Sequence, residues 1–386
     1  MIKVKKKIVF LCIIAFIFAY ISGGNLPYSI FYILAITIAF GIIFMRMSNK
    51  NLSAKFKYDS RFYNVSDSAK FTIIVENLGI MPTPYVYVES KVLHELIEEY
   101  RGDLISLGVD KKKWISNEVV FKRRGIYDFG QISIETNDLF CIFKSVKNIH
   151  KQLDILVYPK VYDLRGINIA GRDSYENLIN SKSGIDDFTL IKDIRKYNVG
   201  DNLKKVHWKL SAKHGELYVK NFDAISGKEC NLFINMHIDN VSNNLNEIIE
   251  EHMVDFTVSL TKFMMDTKIK TRLFVHANEQ KNLEVEFKEE FLGVMDYFLK
   301  CKSDATTAFY NFIKLNLRHV PKGNWIGIIS IAVDDNLRNV IMSLKEMGYR
   351  VNVFYYENPL HQYKNIDLLK NLGIECMNFN GTKERR

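Results

Sequence analysis

Between Lys192 and Phe222 the chain gathers residue types suited to recognition: Arg195, Tyr197, Lys204, Lys205 and Trp208 supply bases and aromatics. Tyrosine, tryptophan and arginine concentrate at protein interfaces, where a rigid ring covers much area and a base fixes orientation, and the lysines add a charged rim. In the same stretch Asp201 and His207 supply an acid and a titratable ring, and with nearby bases they admit a metal-independent hydrolase as the alternative chemistry. His214 and His237 offer two further imidazoles. For each histidine a structural role is the stronger reading, and His214 sits where positive charge suits a helix end.

Turn and cap chemistry must position these groups. Ile191 to Tyr197 reads as an extended run, and Val199-Gly200-Asp201 reads as a turn in which glycine tolerates positive φ. Asp201 is expected to cap a helix from Asn202 to about Lys213, because Leu203, Val206 and Leu210 recur at helical spacing. Gly215 is its expected stop, and Glu216 to Phe222 alternates as a strand. In that frame Trp208 either packs the helix on a sheet or stands out as a platform with Tyr197. Arg195, Lys204 and Lys205 are left for binding.

Charge excludes one class of partner. Of the net charge of +9, most comes from Lys3, Lys5, Lys6, Lys7, Arg46, Lys50, Lys55 and Lys57, opposed before residue 60 only by Asp59. These bases flank an apolar segment, where lipid and topology explain them, so no nucleic-acid groove is expected. Cys12, Cys141, Cys230, Cys301 and Cys376 are widely spaced and odd in number, which suits a reducing compartment without disulfides or a zinc ribbon. The sequence lacks H-E-x-x-H, G-x-S-x-G and P-loop patterns.

Ile8 to Met45 carries no charge and is broken by Ser22-Gly23-Gly24-Asn25 and Pro27. It is expected to form a two-helix transmembrane hairpin within residues 1–47, both ends facing the cytoplasm by the positive-inside rule. A cleaved signal peptide is the rival, weakened by the second apolar segment that follows at once. Next, alternating runs at Ala69 to Glu76, Tyr85 to Val92, Trp114 to Phe121, Ile126 to Glu135 and Leu153 to Tyr158 predict an antiparallel β-sandwich over 48–160. From residue 161 to 386, strand and helix patterns alternate, which predicts an α/β domain with a mostly parallel sheet covered on both faces.

The stretch Arg195, Tyr197, Gly200, Asp201, Lys204, Lys205, Val206, Trp208, Ser211, Ala212, Gly215 and Leu217 resembles the signature of the domain-of-unknown-function 58 family. In that pattern Gly200, Asp201, Ser211, Ala212 and Gly215 are structural. A second match is Arg123, Arg124, Gly125, Tyr127, Asp138, Phe140 and Phe143, with Leu139 and Cys141 where the family has proline and glycine. Arg123 and Arg124 read as a solvated strand end. The resemblance implies that the C-terminal region is a von Willebrand factor A-like, Rossmann-like domain. A metal-dependent adhesion site would then fall at Asn235-Met236-His237-Ile238-Asp239. That site is degenerate, since Asn235 lacks a carboxylate and His237 replaces a hydroxyl, so no metal or other cofactor is expected beside Asp239. The implied function is a membrane-anchored, non-enzymatic scaffold or adaptor. Its expected partners are the bilayer, a MoxR-type AAA+ ATPase and other membrane proteins.

Overall fold

In a computed structural model, residues 2–4, 6–164, 191–197, 206–222, 229–237, 243–357 and 364–380 are described. The chain divides into two compact units, Met1–Tyr158 and Pro159–Arg386.

The first unit starts with β1 (Ile2–Val4), α1 (Lys6–Ser22) and α2 (Asn25–Lys50). Gly23 and Gly24 take φ of 59° and 86°, which reverses the chain in two residues, and the Phe16 and Phe31 rings meet across the helical hairpin at 5.2 Å. By length and composition α2 is the one described helix able to cross a membrane, and the apolar Ile8–Ser22 helix is shorter. α2 also runs further than the expected hairpin, through Arg46 to Lys50, because its last turns are held by protein. Phe143 packs on it with Met45, and Asn49 accepts from Thr136 Oγ1 at 2.9 Å and bonds Ser145 Oγ. Lys147 Nζ donates to the Asn49 carbonyl at 3.3 Å, an acceptor that the helix end exposes, and to the carbonyl of Leu52 at the start of β2 at 2.6 Å.

Then follow β2 (Leu52–Lys57), β3 (Phe62–Asn64), β4 (Ser68–Asn77), β5 (Thr83–Ser90), α3 (Lys91–Leu96), β6 (Asp103–Leu107), β7 (Lys111–Val120), β8 (Gly125–Asp128), β9 (Gln131–Asn137), β10 (Phe143–His150) and β11 (Asp154–Tyr158). They form a five-stranded sheet β1-β10-β9-β5-β6 and two three-stranded sheets, β2-β4-β7 and β3-β11-β8. One core draws on all three, with Phe71 stacked on Phe129 at 4.1 Å. The expected Ile126 to Glu135 strand is two strands, and Arg124 is buried instead of solvated.

The second unit contains the ribbon β12 (Ile191–Lys196), α4 (Trp208–His214) and β13 (Tyr218–Phe222). It continues as β14 (Glu229–Asn235), α5 (Asn243–Asp266), β15 (Lys270–His276), β16 (Lys281–Val285), α6 (Lys288–Lys300), α7 (Phe309–Asn316), β17 (Trp325–Ser330), α8 (Asp335–Glu346), β18 (Arg350–Tyr355), α9 (Lys364–Asn371) and β19 (Glu375–Asn378). The sheet order is β16-β15-β14-β17-β18-β19, parallel throughout except for β16 at the edge. Phe233, Phe274, Ile328 and Val353 face α7, α8 and α9, whereas Phe354 meets Phe256 of α5 on the other face. Coverage of both faces explains why every residue of β17 is buried. Buried polar groups of α5 are used as well: Asp255 Oδ1 and Ser259 Oγ accept from the Lys160 and Tyr162 amides, each at 2.9 Å.

Candidate functional site

Two places concentrate the residues capable of recognition or chemistry. The first is the β12, α4, β13 unit. Here the expected helix from Asn202 through Lys213 is corrected: α4 starts only at Trp208, since Val206 pairs as an extended residue with Val219 and is buried. The pull of a buried β-pair outweighs the helical spacing of Leu203, Val206 and Leu210. Gly200, Asp201, Lys204 and Lys205 lie outside the described residues. The N-cap observed is His207, whose Nδ1 accepts from the Leu210 amide at 3.1 Å. That bond uses the ring nitrogen a hydrolytic base would need.

The rest of the unit is a hydrogen-bonded frame. Gly215 ends α4 with φ of 70° and donates to the Ser211 carbonyl at 2.9 Å. The buried Ser211 Oγ accepts from the Tyr218 amide at 2.9 Å, and the Tyr197 and His207 amides donate to Leu217 and Tyr218 carbonyls at 2.9 and 2.8 Å. His214 meets the Tyr218 ring edge-on at 5.8 Å, and Ala212 is exposed. Arg195, partly buried in β12, donates from Nη1 to the Lys196 carbonyl at 3.2 Å. Lys196 pairs with Glu216, and this hydrogen bond raises the pKa of the lysine. Trp208 does not pack the helix on a sheet. It is 64% exposed at the first turn of α4, with Ile194 and Leu217 as further exposed apolar side chains of the unit.

The second place is the carboxyl end of the parallel sheet, where strand order reverses beside β14 and where such sheets bind ligands. Asn235, His276 and Ser330 are the last residues of β14, β15 and β17, and so form one row. Thr307 Oγ1 lies 2.8 Å from His276 Nε2, His276 Nδ1 lies 3.1 Å from Asn235 Oδ1, Asn235 Nδ2 donates to Ser330 Oγ at 3.1 Å, and Ser330 Oγ donates to the Ala332 carbonyl at 2.8 Å. The chain is consistent in one sense only. Nδ1 carries the proton, and Nε2 accepts from threonine. His276 is fully buried, and desolvation, aided by the nearby His237, pushes its pKa down to about 4, so the ring is neutral.

His237 is exposed, and its Nδ1 donates to the Ala305 carbonyl at 2.5 Å. Asp239 lies outside the described residues. Among the described residues no group of three or more histidine, cysteine or acidic side chains is placed to hold a metal. Asp334 caps α8 through a 2.7 Å bond from the Leu337 amide. His276, Thr307 and Ser330 were not singled out from sequence. The available signal was that Asn235, His276 and Ser330 each end an apolar run, a coincidence that becomes a site only when the strands pair in parallel register.

The family model described as "Protein of unknown function DUF58" matches residues 193–283, which include Arg195, Tyr197, Trp208, Asn235 and His276 but not Thr307 or Ser330. An uncharacterised protein of Bacillus subtilis (strain 168), YeaD, is 22% identical over 229 residues, 57% of this chain and 56% of the relative. The chain thus matches little more than half the length of that relative. Among solved structures, the CARDB domain of a Pyrococcus furiosus protein gives a TM-score of 0.20 at 20% identity, covering 28% of this chain and 86% of that one. A β-glucosidase from Listeria innocua gives 0.14 at 11% identity, over 26% and 16%. At such scores neither likeness carries an argument.

Proposed function

We propose that the protein is a membrane-anchored, non-enzymatic adaptor whose second unit presents a protein-binding face around Trp208. The observation that carries this reading is the exposure of Trp208 on a short helix clamped by His207, Ser211 and Gly215. A rigid, solvated indole loses little conformational freedom when covered, which is what an interface anchor requires. In this reading Arg195 and Tyr197 flank the anchor, and Lys204 and Lys205 contribute charge. The polar row at the sheet end is committed to its own bonds, which favours a scaffold over a ligand-consuming site.

The apolar helices α1 and α2 are the anchor, a two-pass hairpin with the sheets of both units in the cytoplasm. The shared core of the first unit's sheets supports a β-sandwich. The doubly covered, mostly parallel sheet of the second supports a von Willebrand factor A-like domain. The partner that the family resemblance suggests is a MoxR-type AAA+ ATPase.

The test is affinity capture from native membranes with the intact protein, Trp208→Ala, and the Lys204→Glu, Lys205→Glu pair. Capture of an AAA+ ATPase by the intact protein and its loss in both variants is the expected result. Equal capture by all three removes this face as the contact, and no ATPase in any of them removes the partner.

A further inference from the structure

Among the exposed apolar residues of the first unit's sheets, one group gathers on the loops at one end, apart from Phe62, Leu104, Val120 and Ile126. β9 and β10 are joined by residues 138–142, and the tip of that loop exposes Leu139 and Phe140 at 47% and 55%. The loop is not slack. Asp138 is buried, its Oδ1 accepting from the Phe143 amide at 2.8 Å and its Oδ2 from the Phe140 amide at 3.3 Å, and the Cys141 amide donates to the Asp138 carbonyl at 3.1 Å. Behind the tip, Ile142 and Phe143 form a cluster with Met45, packed by Ile38 and Ile42. The loop therefore lies along α2 within its membrane-competent length.

Register places two more loops at this end. Asn77, the last residue of β4, is opposite both Leu52, which follows α2 closely, and Lys111, which opens β7. The β4–β5 loop thus brings Leu78 and Ile80, 60% and 74% exposed, and the β6–β7 turn brings Val109 at 45%. The Leu78 amide donates to the carbonyl of Asn51, just after α2, at 3.0 Å. Lys111, Lys112 and Lys113 are exposed beside them, with Lys112 paired to Glu76 at 3.2 Å and Asp110 exposed in the same turn, which leaves the patch with a net positive charge. Apolar tips set among lysines, on a domain fused to an apolar helix, match the interfacial zone of an anionic bilayer.

We propose that the β9–β10 tip, Leu139 and Phe140, seats in the headgroup–acyl boundary of the bilayer that α2 crosses, with the lysines at the start of β7 against its headgroups. The tip then fixes how far the first unit stands from the lipid. This rests on the reading of α2 as a membrane span.

The test uses the full chain reconstituted in vesicles of phosphatidylcholine and phosphatidylglycerol, with lipids brominated either high on the acyl chain or near its end. Emission of Phe140→Trp and of Ile33→Trp, at an exposed site of α2, is compared with that of the unsubstituted protein. The expected result is that Ile33→Trp is quenched most by deep bromine, and that Phe140→Trp loses most of its added emission to shallow bromine. Quenching of Ile33→Trp without Phe140→Trp overturns the proposal and leaves the span standing. Quenching of neither overturns both. A Phe140→Trp reporter shielded from aqueous acrylamide yet untouched by bromine assigns the tip to a protein partner or second copy, and also overturns the proposal.

Discussion

Gly41 of α2 lies directly beneath the ring of Phe143, with no room for a side chain: a Cβ there would stand 2.8 Å from Phe143 Cε2 and 3.2 Å from Asp138 Oδ2. The contact joins the apolar helix to the loop that Asp138 shapes. Gly41→Leu is expected to lower stability by about 1 to 3 kcal/mol through overpacking. Thermal unfolding in detergent reads the loss, and Phe143→Ala in the same chain should recover part of it, since the two positions share one space.

Cys141 holds a φ of 53°, a conformation unfavourable to side chains and open to glycine. Relief of that strain exceeds the added freedom of the unfolded chain, so Cys141→Gly should gain about 0.5 kcal/mol. Cys141→Val should lose about 1 to 2 kcal/mol, because β-branching is least tolerated there. Opposite signs in a denaturant titration are the check, and a gain for valine would refute the account.

The neutral His276 makes the second unit acid-sensitive. The unfolded ring takes a proton near 6.5 and the folded ring only near 4, so the unfolded chain binds more protons between these values. The contribution is complete above pH 6.5 and is lost as the pH falls towards 4, by a total of about 3 kcal/mol. His276→Gln should be less stable at neutral pH but flatter across that window, as measured by unfolding against pH.

On the α4 unit, exposure and burial separate two neighbouring substitutions. Trp208→Ala should change stability by under about 0.5 kcal/mol, because the indole is largely in water. Ser211→Ala leaves the Tyr218 amide without its acceptor and should cost about 1 to 3 kcal/mol. Paired melting curves test this. Comparable losses would mean that the tryptophan is part of the core.

The α/β alternation of the second unit was legible because its elements carry strong periods: Leu245 to Met265 falls within α5, and Val351 to Tyr355 within β18. In the first unit β10 is not legible from its residues. Its sequence, FKSVKNIH, mixes lysines into the alternation, and Lys147 is there to close the end of α2. Local spacing predicts too early a start for α4, since it does not reveal that Val206 is claimed by Val219.

Composition and period alone determined that an apolar segment precedes strand-rich and then alternating sequence, because burial and backbone geometry write themselves into residue order at short range. Gly215 as a stop belongs to the same class, being set by a bond between near neighbours. Only the tertiary structure decided that Trp208 faces water, that Asn235, His276 and Ser330 form one row, and that Phe143 covers Gly41. Each depends on which distant strands pair and in what register, a long-range choice that no local spacing encodes.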